Sequence, residues 1–142
     1  MVAEQQEVIT KTDARRLRDM IGSIRRSPTL GHPLEGDLRD LEGHLARTAI
    51  VPPTSVDGDT VTMNSKVALR DLDSGAFQVV TLVYEADADF FGEKISVLTR
   101  LGASLLGSRV GDVLEWKTRR APRRVRIERI LFQPEAAGEF DL

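Results

Sequence analysis

Four carboxylates, Glu35, Asp37, Asp40 and Glu42, crowd into a short stretch of this chain. Acids so close together could hold a hard cation such as magnesium if two or three of them converged. They are also what the first turns of a helix favour, because negative charge suits the positive end of the helix dipole. The stretch from Lys117 to Arg129 has the opposite character, with seven basic residues against one acid. A basic hairpin carrying Arg119, Arg120, Arg123 and Arg124 can contact nucleic acid phosphates or an acidic protein surface. It can equally be a strand pair whose edge is protected by charge.

Other reactive residue types lack the spacing that chemistry requires. His32 and His44 are the only histidines, and they do not stand at the i, i+3 or i+4 separation that sets two metal ligands on one helix face. Ser104 lies between Gly102 and Gly107, but a nucleophile elbow needs a closer glycine spacing and a histidine partner further on. The chain has no cysteine, which removes disulfides, thiolate zinc sites and cysteine nucleophiles together. These observations predict no catalytic site, no resident metal and no cofactor.

The elements that position these residues follow from the hydrophobic period. At 142 residues and a net charge of −2, the chain can form one domain with a short appendage, and any nucleic acid contact must be local. Residues 1–8 lack the basic start and apolar run of a leader, so the expectation is a cytoplasmic protein that spans no membrane. From Thr12 to Arg26, Ala14, Leu17, Ile21 and Ile24 recur at three-four spacing and predict a helix with Thr12 as its cap. A second helix is expected from about Pro33, with Leu34, Leu38, Leu41 and Leu45 on one face. Two prolines and a glycine between them predict an antiparallel helical hairpin of coiled-coil type over residues 1–50, with His32 in the surface turn.

Residues 51–60 read as a linker, and the period then changes to two. Val61, Met63, Ser65, Val67 and Leu69 alternate with their neighbours and predict a strand, paired across a turn at residues 71–75 with a second strand from Phe77 to Tyr84. A strand at Lys94–Leu98, one helical turn between Gly102 and Gly107, and a last strand pair across residues 119–123 complete an α+β module over residues 61–142.

Several strings in this module occur in a recognisable order: Val61-Thr-Met-Asn-Ser65, Thr81-Leu-Val-Tyr84, Ile95-Ser-Val97, Leu105-Leu-Gly107, Gly111-Asp112 and Gln133-Pro-Glu-Ala-Ala-Gly138. On these the chain resembles the bacterial Rnk family, regulators of nucleoside diphosphate kinase, and more weakly the Gre transcript-cleavage factors. The resemblance implies an FKBP-like C-terminal module whose antiparallel sheet carries one short helix. It also implies RNA polymerase as partner, docked near the secondary channel by the segment Leu98, Thr99, Arg100, Leu101 and Gly102. Both families usually have proline where this chain has Arg100.

The Gre signature at the arm tip, an aspartate and a glutamate three residues apart, is absent, and Asp37-Leu-Arg-Asp40 is the nearest approach. A helix of about 16 residues reaches only about 24 Å, roughly half of a Gre-type arm. The resemblance therefore implies a monomeric, non-catalytic regulator of elongation that competes with Gre-type factors, with nucleic acid contact only indirect. Transcript cleavage through the hairpin-tip acids Glu35, Asp37 and Asp40, or direct control of nucleoside diphosphate kinase, are the alternatives. Proline isomerisation ranks last, because its pocket is lined with aromatic side chains and this chain has one tyrosine and one tryptophan.

Overall fold

A computed structural model describes residues 7–89, 92–117 and 119–142. Residues 1–6, which carry most of the leaderless reading of the start, lie outside the described residues. The chain opens with strand β1, Val8–Thr10, and runs directly into helix α1, Lys11–Arg26. The cap is Thr10 rather than Thr12: its Oγ1 accepts the Asp13 N–H at 3.1 Å, and the Thr10-x-x-Asp13 pattern of a helix start explains the shift. Ala14, Leu17, Ile21 and Ile24 are all buried, as their spacing predicts.

Helix α2, Gly31–Arg47, starts two residues before Pro33 and buries Leu38, Leu41 and Leu45. The turn is tight enough to need glycine, since a Cβ on Gly31 would lie 2.5 Å from the Arg25 carbonyl oxygen. His32 consequently sits in the first turn of α2, not in a loop. At the other end of the helical pair, strand β2, Ala49–Val51, lies parallel to β1, with Val8 opposite Ala49 and Thr10 opposite Val51. This small two-stranded sheet, unforeseen from composition, closes the base of the hairpin.

The main sheet contains β3 (Lys66–Asp71), β4 (Phe77–Val83), β5 (Lys94–Ser96), β6 (Val113–Trp116) and β7 (Arg123–Phe132), in the order β5-β4-β3-β7-β6. Three of its pairings are antiparallel as expected, but β5 runs parallel to β4, so the sheet is mixed. Helix α3, Arg100–Leu105, packs Leu105 against the core together with the adjacent Leu106.

The strand expected from Val61 begins only at Lys66. Residues 61–65 form a turn in which Asn64 takes a positive φ of 66° and the Thr62 N–H is accepted by Ser65 Oγ at 2.9 Å. Val61 instead exchanges backbone bonds with Gly107 and Ser108. Val61, Thr62, Met63 and Ser65 are all buried, so the alternation of residue types that imitates a strand does not correspond to alternating burial. Helices and sheet share a single hydrophobic cluster running from Ile9 through Leu45 to Ile127.

Candidate docking surface

The segment singled out for docking is a loop only as far as Thr99. Arg100, Leu101 and Gly102 are the first turn of α3, and Thr99 is its cap, accepting the Gly102 N–H at 3.0 Å while donating to the Ser96 carbonyl at 2.8 Å. Arg100 thus occupies the first helical position, where proline is favoured because its N–H would be unpaired and its φ is already helical. Without proline, this chain holds the same turn through the Thr99 cap and close packing. A Cβ on Gly102 would fall 2.0 Å from the Ser96 carbonyl oxygen, so any larger residue displaces the helix from β5.

The five residues divide by exposure. Leu98 and Gly102 are buried supports, Leu101 is half-buried, and Thr99 and Arg100 face solvent. Beneath them the Ser96 hydroxyl donates to Glu85, and its Oγ accepts the Leu98 N–H at 3.0 Å. Arg100 Nη1 reaches the Lys117 carbonyl at 3.2 Å, which ties the start of α3 to the end of β6.

The acids of α2 do not converge on a common point. Glu35 and Glu42 both bind Arg25, at 2.9 and 2.7 Å, and Glu35 also takes Arg39 at 3.2 Å. The Arg25 guanidinium holds both carboxyls below the usual glutamate range. Asp37 and Asp40 lie exposed on the outer face. Among the described residues, no three His, Asp or Glu side chains are grouped to hold a metal ion.

Much of the positive charge on the β6–β7 hairpin is neutralised in place. Arg123 binds Asp71 at 3.0 Å and Arg124 binds Asp73 at 3.2 Å. The Asp71 carboxyl lies below its ordinary range, first through the backbone N–H groups of Ser74 and Asp73 and then through Arg123. Arg120 also has a partner within the protein, whereas Arg119 is exposed. Arg123 additionally stacks over Trp116 at 5.5 Å.

Two structural sites lie outside the candidates drawn from the sequence. Asp13, only 3% exposed, accepts the Met63 N–H at 3.0 Å from across the helix–sheet junction, with the Tyr84 hydroxyl at 3.4 Å. Burial raises its pKa to about 6, against the opposing Met63 bond and with help from the Glu135 charge. His44 Nε2 meets the Leu106 carbonyl at 2.9 Å and so joins α2 to the end of α3. The Gln133 to Gly138 string is also structural: Gln133 Nε2 donates to the carbonyls of Asp57 and Thr60 at 2.8 and 2.7 Å, and Glu135 accepts the Thr62 hydroxyl at 2.6 Å. Its one distinctive signal is a buried glutamine, a residue rarely buried unless fully bonded.

Comparison with known proteins agrees with this architecture. The chain is 38% identical over 101 residues to the regulator of nucleoside diphosphate kinase of Escherichia coli, covering 70% of this chain and 74% of that protein. It is 38% identical over 80 residues to transcription elongation factor GreA of Thermotoga neapolitana, but spans only 51% of that protein. A solved GreA/GreB elongation factor from Nitrosomonas europaea superposes with a TM-score of 0.71 at 37% identity, over 91% of this chain and all of that one. Residues 55–132 match the C-terminal family of the transcription elongation factors GreA and GreB, and the chain belongs to that family.

Proposed function

We propose that this protein is a non-catalytic, cytoplasmic regulator of transcription that docks on RNA polymerase through residues 61–142, near the secondary channel, and there competes with Gre-type factors. The observation that carries this reading is the first turn of α3, where buried Leu98 and Gly102 present Thr99, Arg100 and Leu101 outward on a rigid support. Residues 51–60 connect the module to the arm, residues 1–50, and any nucleic acid contact is made indirectly through the polymerase.

The arm argues for regulation over cleavage. Its longer helix has 17 residues and so spans about 25 Å. Glu35 is already bonded to Arg25 and Arg39, and among the described residues no third acid is grouped with Asp37 and Asp40. Purified protein is expected to co-elute with core RNA polymerase and to be displaced by a Gre factor. Arg100→Glu should keep the fold and weaken that binding, and backtracked complexes should yield no shortened transcripts. Failure to co-elute, or cleavage dependent on Asp37 or Asp40, would overturn the proposal. A second reading follows the name of the Escherichia coli relative: direct control of nucleoside diphosphate kinase, for which saturable binding to the isolated kinase is the test.

A further inference from the structure

Two sets of cations stand out on and beside the β6–β7 hairpin. Arg123, Arg124 and Arg126 face carboxylates of the same chain, Asp71, Asp73 and Glu128. Arg100, Lys117 and Arg119 instead line, together with Trp116, a shallow open depression, and all three are exposed. Arg100 donates to a carbonyl, not to an acid, so its charge is not cancelled there. Arg123, stacked on the indole and held by Asp71, fixes the orientation of Trp116.

We propose that this corner, Arg100, Trp116, Lys117 and Arg119, is an acceptor for a short acidic protein segment that places an apolar side chain against Trp116. Charge complementarity on a small footprint favours this occupant. Three cations with no acidic partner among the described residues, lining one depression with an indole, suit two or three carboxylates flanking a hydrophobic residue. A nucleic acid strand would ask for an extended track of free cations, and this hairpin interrupts such a track by pairing Arg123, Arg124 and Arg126 internally. The inference rests on the docking reading above and gives the polymerase partner its chemistry: an acidic segment lying across the start of α3 and the end of β6.

Trp116 is the only tryptophan of the chain, so its fluorescence reports on this corner alone. Titration of the full protein with a synthetic peptide of alternating aspartate, glutamate and leucine should change Trp116 emission saturably. Raising salt from 50 to 500 mM should weaken the affinity about tenfold or more. Lys117→Glu with Arg119→Glu, both exposed, should leave the melting curve unchanged and abolish the response. An oligodeoxythymidine of equal charge should bind more weakly than the peptide. Stronger binding of the oligonucleotide, or an unaltered peptide response in the double variant, would overturn the proposal. The same variant tested against core polymerase separates the two claims. Retained co-elution would sink the acidic-segment corner alone, whereas wild-type protein that binds the peptide but not polymerase would sink the polymerase reading alone.

Discussion

The two ends of the helical arm are held by different physics. At its base, Asp13 is buried and bonded to Met63, His44 reaches Leu106, and β1 pairs with β2. At its tip, a single guanidinium bridges Glu35 and Glu42 in contact with water. Base contacts are few and shielded, so each fixes a direction; tip contacts are screened by salt and side-chain motion, and exposed pairs of this kind contribute little. The orientation of the arm is therefore set where it meets the sheet, and the charged side chains of its tip, though not Gly31 in the turn, can vary at small cost to the fold.

Substitutions can break this contrast at three levels. Leu17→Ala removes a fully buried side chain of α1, and chemical denaturation should show a loss of about 2–5 kcal/mol, the range for such cavities. A loss as small as that of a surface change would mean that the arm does not share the core.

Asp13→Asn tests the base by pH. The folded-state pKa of Asp13 is raised from 3.8 to about 6, so between those values the folded protein holds a proton that the unfolded chain has released. Wild-type stability should thus fall as pH rises from about 4 to about 6, by at most about 3 kcal/mol. Asparagine, which can still accept the Met63 N–H, should flatten that part of the profile. An unchanged slope would show that the carboxyl is not the titrating group.

Arg25→Ala tests the tip and should have the smallest effect. Thermal unfolding should shift little, and the salt dependence of the transition should diminish only slightly, because the pairs of Arg123 with Asp71 and Arg124 with Asp73 remain. A shift as large as that of Leu17→Ala would erase the distinction between tip and base.

The sequence displays most clearly what depends on neighbouring turns. The stripes at Ala14, Leu17, Ile21 and Ile24 and at Leu38, Leu41 and Leu45 define both helices, because burial on one face repeats every three or four residues. The alternation at Val61, Met63 and Ser65 misleads, since the core surrounds this segment and draws in side chains without a neighbouring strand. The parallel β4–β5 pairing is illegible for another reason. It joins three-residue stretches across a ten-residue connection, and nothing local records strand direction. The turn proposed for docking stands out in the sequence only through family strings, while its internal logic, Arg100 at the helix start and Gly102 against Ser96, requires the packed geometry. Asp13 could have been suspected from its capping pattern, but its partner Met63 lies fifty residues away.

The bond between His44 and the Leu106 carbonyl has a consequence for how the molecule could be re-engineered. It couples the far end of α3 to the arm, so whatever grips the exposed turn of α3 also acquires a fixed bearing for the helices. Grip and pointer are parts of one bracket. Exchanging the few residues around Gly31 would then change what is pointed without changing where it points.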